Sequence, residues 1–134
     1  MRWIVGYLAA LVVFAAGDLT WLRLMESRIY RPVIGPLLAD KPDVKAALGF
    51  YVLYLTGVTV FGIAPGLRSG RPLDAMGWGA LFGLVAYGTY DLTNQATLRL
   101  WSTRLSLIDM AWGALITGLA ALVGCLVARV VNKG

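Results

Sequence analysis

A chain of 134 residues that is 59% hydrophobic and 14% charged, with a mean hydropathy of +0.73, is far from a soluble domain, in which about a quarter of residues carry charge. At this length such a composition points to one integral membrane domain over residues 1–134, with no separate soluble domain. The net charge of +5 is spread over short stretches with no basic tract interleaved with aromatics, which excludes nucleic acid and fits contact with membrane lipid headgroups.

In chain order, the apolar runs predict four spans at roughly 3–25, 44–66, 73–98 and 105–131. Each is long enough to cross a hydrocarbon core, which takes about 20 residues of helix. "GYLAALVVFAAG" and "WGALITGLAALVGCLVA" are continuously apolar, unlike the alternating strands of a barrel. A helix satisfies its own backbone in lipid. The expectation is therefore an all-α, multi-pass, four-transmembrane-helix bundle. The first run could be read as a signal peptide, but it continues past Asp18 into "LTWLRLM", so it reads as a true span.

The first loop, "ESRIYRPVIGPLLADKPDVK", carries three prolines. It is predicted to break from the helix and fold as a short interfacial segment over the bundle end. Tyr30 and Arg31 are its candidate lid or headgroup contacts. Pro65 is predicted to end or kink the second span. Trp3, Trp78 and Trp101 fit an interfacial aromatic belt. Gly79 and Gly83 form a GxxxG in the third span, the spacing that lets helices approach closely.

Some chemistry is excluded. No histidine is present, so imidazole-ligated haem, histidine zinc sites and Ser-His-Asp catalysis are absent. The single cysteine, Cys125, cannot form an internal disulfide. Lys41 and Lys133 fall outside the spans, and Lys45 stands at the outer end of the second. No metal site or cofactor is predicted.

Three carboxylates remain inside the apolar runs. Asp18 lies five residues before Arg23, Asp91 eight before Arg99, and Asp109 five after Arg104. At 1.5 Å per residue, all three sit about 7 to 12 Å below the flanking arginines, in one layer. Tyr87, Tyr90, Asp91 and Asn94 share a helix face. Tyr51 and Tyr54 reach similar depth on the second span. Trp21 shares a face with Asp18, and Trp112 with Asp109. Intramembrane ionisable residues are rare and mark sites by default. The alternative is a polar clamp, but interhelical hydrogen bonds contribute only about 0.6 to 2 kcal/mol, against roughly 2.5 to 3.5 kcal/mol to insert a central aspartate.

Asp-Leu-Thr occurs at Asp18 and again at Asp91, each followed by Leu-Arg-Leu. This suggests two parallel helix-hairpin repeats, an arrangement some transporters use to build a site at the repeat interface.

Four stretches, "GDLTWL", "YRPVIGPLLADKPD", "LFGLVAYGTYDLTNQATL" and "IDMAWG", together resemble a bacterial membrane protein family called domain of unknown function 2177. The resemblance spans nearly the whole chain. It implies a small four-span protein of the bacterial inner (cytoplasmic) membrane and brings no established activity or catalytic residues. The functional expectation is a carboxylate-lined pocket that binds or moves a small cation, proton or amphiphile, with room for a homo-oligomer. The alternatives are a lipid-acting enzyme or accessory subunit, in which Asp91 or Asp109 would serve as acid/base, and the clamp. No nucleophile–base pair singles out catalysis.

Overall fold

A computed structural model describes the backbone of residues 1–133 and the side chains of residues 1–131; the side chain of Lys133 lies outside the described residues. The described residues are overwhelmingly helical and contain no strand. Helix α1 (Arg2–Met25) passes into a π-turn (Glu26–Tyr30), a short α2 (Arg31–Ile34) and a 3-10 turn (Gly35–Leu37). Helix α3 (Val44–Val58) continues through a second π-turn (Thr59–Ile63) into α4 (Ala64–Ser69). Helices α5 (Pro72–Thr97) and α6 (Thr103–Lys133) complete the chain.

The helix starts follow local chemistry. The Asp43 carboxylate accepts from Ala46 N–H at 3.1 Å and caps α3. Pro72 opens α5, where its missing N–H costs nothing. Ser102 Oγ accepts from Leu105 N–H at 3.1 Å ahead of α6. Gly70, at φ 73°, reverses the chain after α4 in the left-handed region that favours glycine.

One expectation about proline is corrected, the break after the first span; of the two offered for Pro65, an end or a kink, the end is excluded. The first helix does not stop at Met25 but runs on to Leu37, and the second passes through Pro65 to Ser69. Both prolines follow a π-turn by two residues. In these turns Arg31 N–H bonds Glu26 O and Ala64 N–H bonds Thr59 O, five residues back. A proline ring ordinarily clashes with the carbonyl four residues earlier. The wider turn makes room for it, so the helix continues past Pro32 and Pro65.

Helix α6 lies between α1 and α5, and the second run packs across it through the Thr59–Ile63 turn. Small residues bring these backbones together. A Cβ on Gly79 would stand 2.6 Å from Ala121 Cβ, and one on Gly83 would strike the Gly113 carbonyl. The core comprises Ala10, Phe14, Leu55, Val58, Ile63, Ala121 and Cys125, all fully buried. A second cluster joins Ile29, Tyr30 and Ile34 to Trp101 and Leu105. Trp101 is thus 8% exposed, packed under the first loop rather than in the outer aromatic belt expected for it.

The outer surface is apolar: Val12 is 67% exposed, Leu53 75% and Val130 70%. Exposed hydroxyls bond back to their own helices, as with Thr56 to Val52 O and Thr89 to Val85 O, both at 2.7 Å. That is how a hydroxyl is satisfied without water. Three helical runs, Arg2–Leu37, Val44–Ser69 and Thr103–Val131, are long and apolar enough to cross a membrane. The third run, α5, falls outside that set. Its apolar content is diluted by glycines and by Asp74, Asp91, Asn94 and Gln95.

Candidate functional site

The carboxylates meet between the two hydrophobic clusters. On α1, Gly17 lets the helix close onto Ile116 and Trp112, which brings Asp18 against α6. Asp18 is half-buried and accepts a hydrogen bond from Tyr51 Oη at 2.7 Å. On α6, Asp109 is 4% exposed. Its Oδ1 accepts from the Tyr30 hydroxyl, which in turn accepts from Trp21 Nε1–H at 2.8 Å. The Trp21 and Trp112 rings stack at 4.5 Å and 6°, while Trp112 Nε1 is buried with no hydrogen-bond partner among the described residues.

Asp91 has a different setting. It is fully buried, and neither carboxylate oxygen has an N–H or hydroxyl donor among the described residues. The Asp109 carboxyl is close enough to interact with it electrostatically. Asp109 also faces Asp18 electrostatically, so it is the central member of the three. Carboxyl groups gathered this closely inside a protein favour a positively charged neighbour.

Above the carboxylates is an open cleft of about 950 Å³. Asp18 and Asp109 line it, as do Tyr30, Tyr54, Tyr87 and Tyr90; Asp91 does not. Leu22, Ile34, Leu38, Phe50 and Ala86 supply apolar wall, and Arg23, Glu26, Arg31 and Asp40 stand at the rim. Arg31 forms an ion pair with Glu26 in the same segment. Tyr30 and Arg31 therefore both reach the cleft, the first through Asp109 and the second through its rim.

The remaining candidates are placed as follows. Tyr54 bonds Thr117 Oγ1 at 2.7 Å. The Tyr87 ring lies over Gly113, where a side chain would collide with it. Tyr90 is 52% exposed and meets Trp101 edge-on at 5.5 Å. Asn94 is half-buried, and its side chain makes no hydrogen bond among the described residues. No group of three His, Cys, Asp or Glu side chains among the described residues could hold a metal.

Two contributors escaped the sequence reading. Thr117 partners Tyr54. Ser106 Oγ accepts from Trp101 Nε1–H at 3.0 Å and donates to the Asp91 carbonyl at 3.3 Å. Both were accessible through spacing, because Ser106, Asp109, Gly113 and Thr117 recur at three- and four-residue intervals along one face of α6.

With this geometry in view, the chain can be placed among known proteins. A family model described as "Predicted membrane protein (DUF2177)" matches residues 3–126. The chain belongs to this family. As a member it is a membrane-embedded protein, in keeping with its three apolar runs. No curated protein and no solved structure matches it.

Proposed function

We propose that this chain binds an amphipathic organic cation in the cleft, with Asp18 and Asp109 neutralising its charge. The observation that carries the reading is the pairing of two carboxylates with aromatic and aliphatic walls in one space of about 950 Å³. That volume lies in the range of small-molecule sites, about 300 to 1,000 Å³, and far exceeds what a bare inorganic ion or a proton occupies. Phe50, Tyr54 and Tyr87 would receive the apolar body, and aromatic faces attract desolvated cations by about 2 kcal/mol.

The same reading takes α5 as a fourth span. Its 26 residues extend about 39 Å, and it packs along α6 through Gly79 and Gly83. Its polar residues weaken its hydropathy because some serve the interior. The protein is then a four-span, multi-pass resident of a bacterial inner membrane, with surrounding lipids as its constant partners. Asp18 and Asp91 would belong to two hairpins of parallel orientation, with Asp109 between them.

The test is calorimetric titration of tetraphenylphosphonium into protein held in lipid nanodiscs. Wild type is expected to bind. Asp18→Asn and Asp109→Asn are each expected to weaken binding about tenfold, or 1.4 kcal/mol, with thermal unfolding retained. Undetectable binding by wild type, or unchanged affinity in both variants, would sink the cation reading. Loss of binding only in proportion to loss of stability would favour the polar clamp.

A further inference from the structure

The cleft is not closed toward the bilayer. A second, apolar groove of about 510 Å³ shares two of its walls, Phe50 and Tyr54. Its other lining residues are Leu53, Thr56, Gly57, Val60, Phe61 and Phe82. We propose that the cation is a single-chain amphiphile, with its headgroup at Asp18 and Asp109 and its alkyl tail laid along this groove. This deepens the cation reading and rests on it.

Position and direction support the assignment. Phe50 is adjacent to Tyr51, which bonds Asp18, so the groove begins at the carboxylate layer. Phe61 lies eleven residues farther along the run, about 16 Å away. The carboxylates lie toward the loop end of the bundle, so the groove leads from them toward the middle of the bilayer. An amphiphile seated here keeps the orientation of the surrounding lipids, head outward and tail inward.

The groove is built for an apolar occupant. Gly57 leaves space for the Phe82 ring, since a Cβ there would stand 2.5 Å from Phe82 Cζ. Phe82 stacks on Tyr54 at 5.3 Å and on Phe61 at 5.6 Å, giving a continuous aromatic floor. Both hydroxyls among the lining residues are occupied, that of Thr56 by Val52 O and that of Tyr54 by Thr117 Oγ1. Leu53, Val60 and Phe61 are each at least half exposed, so the groove lies open along its length.

Charge selects the occupant. An ordinary phospholipid would bring an anionic phosphate to a site holding Asp18 and Asp109. The cleft is lined by four carboxylates, Asp18, Glu26, Asp40 and Asp109, against two guanidiniums, Arg23 and Arg31, and Arg31 is already paired with Glu26. A quaternary or primary ammonium head complements the carboxylates, and its tail complements the groove.

The experiment compares two probes in the same phosphatidylcholine nanodiscs, so that partition into lipid cancels between protein variants. Dodecyltrimethylammonium has a tail for the groove; tetraphenylphosphonium has none. Val60→Trp fills the groove from an exposed position, away from the carboxylates. It is expected to weaken dodecyltrimethylammonium about tenfold, equivalent to losing roughly two buried methylenes, and to leave tetraphenylphosphonium within about twofold. A dodecyl probe with a diazirine at its tail end should label peptides containing Val60, Phe61 or Phe82 in wild type. Equal effects on both probes, or label confined to other helices, overturns the groove while leaving the cation reading intact. Failure of wild type to bind either probe overturns both.

Discussion

The two Asp-Leu-Thr stretches share a sequence and differ in what surrounds them. Asp18 is half-buried, borders the cleft and accepts a hydrogen bond from Tyr51. Asp91 is fully buried, does not line the cleft and has no hydrogen-bond donor to its carboxylate among the described residues. The difference lies in the neighbours. Helix α1 meets the second run through separated aromatic contacts, such as Phe14 with Tyr51 and Tyr54. Helix α5 closes onto α6 at Gly79 and Gly83. A loosely packed helix pair leaves room for a guest and for a tyrosine donor. A tightly packed pair seals its acid away. Local sequence repeats the residue, and packing assigns its role.

The largest effect is expected at the acid that joins the two. Asp109→Leu removes the acceptor of Tyr30 and the carboxyl that faces both Asp18 and Asp91. Leaving a buried polar group unsatisfied costs about 1 to 3 kcal/mol, so thermal unfolding in detergent should show a loss of about 2 to 3 kcal/mol. Asp109→Asn keeps an acceptor for Tyr30 and offers N–H donors to Asp91, and should recover most of that loss. If Asp109→Leu unfolds at the wild-type temperature, Asp109 does not link the two copies.

The same conservative change in the two copies should then separate them. Asp18→Asn replaces the carboxylate that Tyr51 donates to, and should lower stability by about 0.5 to 1.5 kcal/mol as well as weaken cation binding. Asp91→Asn gives two undonated oxygens' worth of space to an amide that can donate to Asp109. Its stability should be unchanged or higher. The two variants are distinguished in one melting experiment, and a clear drop for Asp91→Asn would mean that Asp91 has a donor partner after all. Acid sharpens the contrast further. Cations and protons compete for the cleft carboxylates, so affinity for tetraphenylphosphonium should fall as pH is lowered through the range where they protonate. A pH-independent affinity would show that charge at Asp18 and Asp109 is not what holds the guest.

How much of this could be read beforehand differs between layers of the structure. The helical runs follow from uninterrupted apolar stretches, a one-dimensional signal. Depth along a helix is one-dimensional too, which is why Asp18, Asp91 and Asp109 could be assigned a common layer from their distance to flanking arginines. The course of the chain past Pro32 was not legible, and at Pro65 the sequence left an end and a kink both open. A π-turn is stabilised by what it lets its neighbours touch, here Ile29, Tyr30 and Ile34 on Trp101 and Leu105, and those contacts are remote in sequence. Nor was it legible which acid borders the cleft. That depends on glycines of one helix meeting residues of another, as Gly83 meets Gly113 and Thr117. Asn94 shares a helix face with Asp91 by spacing, but a shared face spans a wide arc, and the structure gives its side chain no hydrogen bond among the described residues.

The smallest effect is expected at the threonines of the repeated stretches, and it tests the comparison from the other side. Thr20 Oγ1 donates to Ala16 O at 2.7 Å, and Thr93 Oγ1 donates to Thr89 O, each four residues back on its own helix. Both are exposed. These bonds depend on helix geometry alone, so the two threonines should be equivalent where the two aspartates are not. Valine has nearly the same shape, removes the hydroxyl and leaves an ordinary helix carbonyl still bonded to its own N–H partner. A back-bonded hydroxyl stabilises a helix little and often bends it, so Thr20→Val and Thr93→Val should each change stability by less than about 0.5 kcal/mol, the range of an unremarkable surface substitution. The decisive quantity is the difference between them in parallel melts. If one copy tolerates valine and the other loses more than about 1 kcal/mol, well outside that range, then the threonine too has been given a different role in each copy. The asymmetry would then extend to the outer face of the helices, where packing against α6 could not account for it.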